Sequence, residues 1–149
     1  MAKKSGRIIA ICRSKTKKEN KTVLKEGFIR KNWGLDGDAH VGQYHKQISL
    51  LSTISIKKMK DLGAKINFGE LHENLVVDGM ILHVLPIGTK LKIGQNILLE
   101  ITQIGKNEDY FKEFDGKRYS SIMAKEGVFA RVLEGGIVKK EDGIEVISE

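Results

Sequence analysis

Lys90-Leu91-Lys92-Ile93-Gly94-Gln95-Asn96-Ile97-Leu98-Leu99-Glu100-Ile101-Thr102-Gln103-Ile104 is the stretch that decides the fold. It reads as two strands, 90–93 and 97–104, rich in isoleucine and leucine and separated by a hairpin-like break at Gly94-Gln95-Asn96. Working outward, Arg7-Ile8-Ile9-Ala10-Ile11-Cys12 reads as a buried strand, and residues 22–29 as a second one ending before Trp33. Leu75-Val76-Val77 is strand-like and is followed by turn-like Asp78-Gly79, an apolar run over 81–85 and a corner at Pro86-Ile87-Gly88. Residues 126–133 are ambiguous. After a turn at Gly135-Gly136, Ile137-Val138 and Ile144-Glu145-Val146-Ile147 predict a closing hairpin. Short strands at regular spacing, few helices and frequent glycine turns predict a mainly β protein, a closed or nearly closed β barrel.

Two short helices are expected beside these strands. Ser52 or Thr53 is placed to cap one carrying Ile56, Met59 and Leu62 on a single stripe, with Gly63 ending it. Tyr110, Phe111 and Phe114 have helical spacing and predict a second between Asn107 and Asp115.

A chain of 149 residues without an internal repeat or low-complexity linker reads as one domain over 1–149. With 40% apolar and 30% charged residues, sixteen glycines and one proline, it falls in neither the disordered nor the fibrous class. A single cysteine, Cys12, cannot form an internal disulfide, which suits a reducing compartment. The N-terminal apolar run at 8–12 is too short for a signal-peptide core or a membrane span, so a cytoplasmic protein is expected. The net charge of +7 is unevenly placed: residues 1–31 hold eleven Lys/Arg against Glu19 and Glu26, and the rest is nearly neutral. Such a segment can attract phosphate, on nucleic acid or on a small cofactor, or can simply be a solvated loop.

The densest polar cluster runs from Gly34 to Ser49. Gly37 permits a tight turn and close ligand approach, and Asp38 and His40, two residues apart, share a face if the chain is extended there. From His45 to Leu50 the sequence alternates, with Ile48 and Leu50 facing one way and His45, Gln47 and Ser49 the other. That second face is capable of a polar network in a barrel mouth or of ligand contact. Asp36 and Asp38 fit turn formation better than a catalytic carboxylate pair. His40, His45 and Asp38 do not match a recurrent zinc motif, and no metal site is expected. His72 and His83 have no visible partner and read as structural or surface residues. There is no nucleophile elbow, phosphate-binding Gly-rich loop ending in Lys-Ser/Thr, or dinucleotide fingerprint.

In order along the chain stand Gly37-Asp38-Ala39-His40, His45-Lys46-Gln47-Ile48-Ser49-Leu50-Leu51, Phe68-Gly69-Glu70 with Asn74-Leu75, Leu85-Pro86-Ile87-Gly88-Thr89, Gln103-Ile104-Gly105-Lys106 and Glu126-Gly127-Val128-Phe129-Ala130-Arg131-Val132. In this order and spacing the chain resembles a MOSC domain, the C-terminal module of molybdenum cofactor sulfurases, which also occurs as small stand-alone proteins. The resemblance covers most of the chain and implies a mostly β barrel with a pocket for the pterin-type molybdenum cofactor (molybdopterin). It implies a site drawn from Gly37, Asp38, His40, His45, Gln47, Ser49, Glu70, Asn74, Lys106, Glu108 and Arg131, with the cofactor phosphate near Lys106 and Arg131. Family members usually follow the Gly-Lys pair with a cysteine taken to carry persulfide sulfur or to ligate molybdenum. Glu108 stands at that place here, and a carboxylate cannot form a persulfide.

Three functions follow as expectations. The first is a molybdenum cofactor binding protein, acting in cofactor handling or as a small oxidoreductase or transfer component with a molybdoenzyme or cofactor-assembly partner, since some stand-alone relatives reduce N-hydroxylated compounds. The second is a degenerate member serving in binding or regulation. The third is a small basic barrel binding nucleic acid, which the basic N-terminal segment favours and the lack of interleaved aromatics disfavours.

Overall fold

The structure is a computed structural model describing residues 4–106 and 111–149. In chain order its elements are β1 (Ser5–Arg13), β2 (Thr22–Leu24), β3 (Glu26–Arg30), β4 (Gly34–Leu35), β5 (Ile48–Ser52), α1 (Thr53–Asp61), β6 (Leu75–Asp78), a 3-10 turn (Leu82–Val84), β7 (Lys90–Ile93), β8 (Ile97–Ile104), β9 (Phe111–Phe114), β10 (Lys117–Ser120), α2 (Met123–Glu126), β11 (Val128–Glu134), β12 (Gly136–Lys139) and β13 (Gly143–Ser148).

The strand order β13-β7-β8-β11-β5-β6-β1 returns on itself because β13 also pairs with β1, so seven strands close a barrel and β2 extends it beyond β1. The deciding hairpin forms as expected, with Ile93 opposite Ile97 across Gly94-Gln95-Asn96. Every barrel pairing is antiparallel except β5 with β6. A parallel neighbour needs a crossover, and α1 lies in that connection.

Alternation along the strands sorts the apolar residues into two cores. Ile48 and Leu50 of β5, Leu75 and Val77 of β6, and Val128, Ala130 and Val132 of β11 fill the barrel. Leu51, Val76 and Phe129, one residue out of phase, pack on the outer wall with Ile56 and Met59 of α1, Met123 of α2, Leu71 and Phe114. Each fully buried aliphatic side chain contributes about 1.5–3 kcal/mol, so the filled interior, rather than the turns, holds the barrel shut.

Four expectations change. Residues 22–29 form two strands, because the chain turns at Lys25 and hands β3 to a separate sheet with β4 and β12. Ile137-Val138 and residues 144–147 do not pair: β12 joins β3, while β13 closes the barrel on β1 and β7. Helix α1 ends at Asp61, which leaves Leu62 74% exposed instead of on the buried stripe, and Gly63, at φ +102°, stops it as expected. The second aromatic helix is absent over 111–114. Asp115 and Gly116 both take positive φ, the geometry of a two-residue hairpin turn, so Phe111–Phe114 is a strand paired with Lys117–Ser120. Residues 107–110 of that expectation lie outside the described residues. No described helix is long and apolar enough to cross a membrane.

Candidate functional site

The segment from Gly34 to Ser49 sends Leu35 and Ile48 into the barrel core and Ser49 to the outer side. Gly34-Leu35 pairs with β3, and backbone bonds from Ala39 N–H to the Ser14 carbonyl and from Gly42 N–H to the Trp33 carbonyl pin the loop down. The pairing strand starts only at Ile48, so His45 and Gln47 precede it. Ser49 and Leu51 then face outward, where Ser49 meets the segment entering β6. Asn74 Oδ1 accepts the Ser49 N–H at 3.0 Å, Ser49 Oγ accepts the Asn74 N–H at 3.0 Å, and Asn74 Nδ2 donates to the Cys12 carbonyl at 3.1 Å. The two buried side chains thereby tie β5, β6 and β1 together.

Above this knot lies an open cleft. Its floor is Phe129, Leu71 and Met123, with Ser49 and Asn74 beside them, and its rim carries His40, Tyr44, His72 and two lysines. Lys46 Nζ and Lys106 Nζ each stand 5.7 Å from the centre of the Phe129 ring, so two ammonium groups meet one aromatic ring. The Tyr44 hydroxyl donates to the His40 carbonyl at 2.7 Å. Burial, and after it the charge of Asp38, raise the Tyr44 phenol, which keeps it a hydrogen-bond donor.

Behind the cleft sits a charged cluster closed to water. The side chains of Lys21 and Asp38 are 0% and 1% exposed and form an ion pair of 2.6 Å. Burial alone would raise the Asp38 carboxyl. The contacts with His40 and Lys21, the Lys21 charge and the Ser14 N–H overcome it and hold the group well below the ordinary carboxylate range. Glu73 is also fully buried, and its Oε2 has no hydrogen-bond partner among the described residues. Burial pushes its carboxyl up against the backbone N–H groups and the Lys21 charge that act the other way. One ammonium thus acts on two carboxyls: it touches Asp38, whereas on Glu73 its charge is outweighed by burial. Cys12 lies in the same layer. Burial and then Glu73 push its thiol up to about 12, which suppresses the thiolate that persulfide chemistry requires.

Glu73→Gln tests this reading. A carboxyl raised in the folded state costs stability as pH climbs from its unfolded value of 4.5 through its folded value, because the unfolded chain gives up its proton first. A glutamine at this position escapes that cost and keeps an acceptor for the Leu71 N–H, so the variant is expected to melt above wild type at pH 7 and to converge with it towards pH 4.5. Each kcal/mol corresponds to about 2–4 °C in a chain of this size. Thermal melts across pH that show the variant less stable at neutrality would rule out a raised Glu73 carboxyl.

Of the residues selected from sequence, His40, Ser49, Asn74 and Lys106 meet at the cleft, with Asp38 directly behind His40. Gly37, at φ +86°, makes the turn into Asp38 but lies against Arg13, away from the cleft. His45 is exposed and sits 2.9 Å from Gln103 Oε1. Gln47 is wholly buried and structural: its Oε1 accepts the Val132 N–H at 2.8 Å and its Nε2 donates to Asn32 at 2.9 Å. Glu70 accepts the Asn67 N–H and closes its own turn. Arg131 is exposed on β11, opposite Glu100 and outside the cleft lining, whereas Lys46 lines the cleft with Lys106. Glu108 lies outside the described residues. Tyr44, Lys46 and His72 line the cleft and were not selected. Nor was Lys21, which in sequence is one lysine among many in a basic stretch. Among the described residues no three His, Cys, Asp or Glu side chains come together as a metal site.

Much of the positive charge of the N-terminal segment is paired. Arg7 meets Glu141 and Asp78, Arg30 meets Asp36, Lys31 meets Glu134, Lys4 meets Glu149 and Lys21 meets Asp38.

No family model matches the sequence, and no curated protein matches it significantly. Solved structures do match. The YuaD protein from Bacillus subtilis superposes with a TM-score of 0.75 at 18% identity, over 100% of both chains. YiiM from Geobacillus stearothermophilus gives 0.67 at 15% identity, over 96% of this chain and 75% of that one. YiiM from Escherichia coli gives 0.63 at 15% identity, over 96% and 70%. The chain shares their fold.

Proposed function

We propose that the protein binds an anionic, ring-bearing small molecule in the cleft over Phe129, and that the pterin phosphate of the molybdenum cofactor is that ligand. The observation that carries the reading is that Lys46 and Lys106 line one cleft and both stand over the Phe129 ring, beside the hydrogen-bonding groups of His40 and Ser49. Two ammonium groups supply the charge a phosphate needs, and Phe129 and Tyr44 supply surface for a flat heterocycle. The ordered motifs shared with MOSC domains favour this ligand over other phosphorylated rings.

The donor set fits the organic part of that cofactor. Lys46 and Lys106 would hold its phosphate, and His40, Ser49 and Asn74 lie in reach of ring or side-chain oxygens. When bound, the cofactor supplies a molybdenum centre for oxygen-atom or electron transfer. The described residues add binding, orientation and partial exclusion of water, and Cys12, sealed behind the wall, adds no thiolate. This favours a role in holding or handing on the cofactor. The nucleic-acid reading keeps the exposed Lys15, Lys17, Lys18 and Lys25, while Lys4, Arg7, Lys21, Arg30 and Lys31 are paired within the chain.

The test is binding of a stable oxidised pterin phosphate, followed by fluorescence at low and high salt. Binding is expected to weaken with ionic strength, and Lys46→Ala and Lys106→Ala are each expected to weaken it about tenfold at low salt, about 1.4 kcal/mol apiece. Absence of binding at low salt, or binding indifferent to both substitutions, would end the reading.

A further inference from the structure

Lys21 Nζ touches two groups in the closed layer behind the cleft. It lies 2.6 Å from Asp38 Oδ1 and 3.1 Å from His40 Nδ1. The carboxylate is held in place from the other side, its Oδ1 accepting the Ser14 N–H at 3.0 Å and its Oδ2 the backbone N–H of His40 at 3.1 Å. An ammonium has three hydrogens and no lone pair. A ring nitrogen 3.1 Å from it must therefore be the acceptor, and Nδ1 cannot carry a hydrogen. Asp38 Oδ2 also faces Nδ1, but at 3.6 Å it is the longer of the two contacts, and the ammonium at 3.1 Å decides that Nδ1 accepts. The hydrogen of the neutral ring is left on Nε2, the one polar atom of the ring that the lysine does not occupy, and the ring itself lines the cleft.

We propose that His40 is a fixed hydrogen-bond donor of this site, its Nε2–H held ready by the buried Lys21–Asp38 pair, so that the cleft selects a ligand presenting an oxygen acceptor, an oxyanion or a carbonyl, at that point. The second half of the proposal rests on the binding function above; the first does not. Lys21 and Asp38 are positioning residues, acting on the ligand only through the imidazole. The arrangement explains why so many buried charges sit behind a half-exposed histidine: an Nδ1 left to solvent would let either ring nitrogen carry the hydrogen, and only one choice donates to the cleft. It also removes the Nε2 lone pair, so His40 serves neither as a general base nor as a metal ligand through that atom.

The tautomer is read directly. In ¹⁵N-labelled protein without ligand, long-range proton–nitrogen correlation at neutral pH is expected to show His40, assigned by its disappearance in His40→Gln, with Nδ1 bare and Nε2 protonated. Hydrogen on Nδ1, or on both nitrogens, overturns the proposal, whether or not Lys21→Met folds well enough to be studied. The ligand half is tested with inorganic phosphate as probe. Glutamine carries a side-chain N–H near the place of Nε2–H, so His40→Gln is expected to bind within about threefold of wild type and His40→Ala to lose about tenfold or more. Equal affinity of the alanine variant and wild type overturns the donor role. Failure of wild type itself to bind phosphate counts against the binding function, and the NMR result separates the two failures.

Discussion

Lys21→Met is expected to lower stability by about 3–5 kcal/mol in urea unfolding at pH 7, a large share of what a domain of this size possesses. The substitution keeps most of the buried stem and removes the ammonium with its bonds to Asp38 and His40, so little of the loss comes from packing. What remains is an Asp38 carboxylate 1% exposed, with two backbone N–H groups and no cation. The dependence on pH follows from the direction of the Asp38 shift. A carboxyl depressed in the folded state stabilises it fully above the unfolded value of 3.8 and less and less as pH falls through the folded value. Without Lys21 much of the depression is gone, so the gap between variant and wild type is expected to be widest near neutrality and to narrow below pH 3.8. Lys21→Met combined with Asp38→Asn is expected to recover part of the loss, because neither charge is then stranded. A single variant within about 1 kcal/mol of wild type would show that the pair is not closed to water.

The barrel was legible because its strands obey local rules. Hairpin 90–104 has its break at a glycine-led turn and apolar residues on both sides, and no distant partner is needed to read it. The errors arose where a distant partner decides. Nothing near Lys25 shows that the strands on either side of it join different sheets, and the pairing of β13 with β1 spans nearly the whole chain. The aromatic segment 111–114 differs for another reason: its helical spacing is overridden by Asp115-Gly116, a two-residue turn pair that specifies a hairpin.

The site was legible in part, and along the same line. His40, Ser49, Asn74 and Lys106 came from ordered motifs and do meet, whereas His45 and Gln47 were chosen by extending the alternation of β5 beyond the point where the strand begins. Lys21 shows the limit most clearly. It stands among Lys15, Lys17, Lys18 and Lys25, which are exposed, and differs from them only in that its backbone is drawn inward by the loop before β6. That inward pull is itself a sequence effect, but it comes from a residue far along the chain.

Gly69 is that residue, and Gly69→Ala is expected to be as damaging as the loss of Lys21. Its φ is +90°, a conformation that costs a residue with a Cβ of order 1 kcal/mol or more. The steric penalty is larger still. A Cβ at this position would stand 2.1 Å from the Lys21 carbonyl oxygen, a backbone atom that no rotamer change can move, and the Gly69 carbonyl accepts the Lys21 N–H at 3.0 Å. The two segments must therefore separate, which pulls Lys21 away from Asp38 and shifts the loop carrying Leu71, His72 and Asn74 out of the cleft wall. The loss expected in urea unfolding is about 3 kcal/mol or more, with a parallel loss of pterin phosphate binding. Gly88, also at positive φ (+96°) but with nothing within 4 Å of an added Cβ, is the control. Gly88→Ala is expected to show only the backbone part of the penalty, about 1 kcal/mol, and to leave binding intact. If the two alanine variants were equally stable, the close contact between Gly69 and Lys21 would not be what seats the buried lysine behind the cleft.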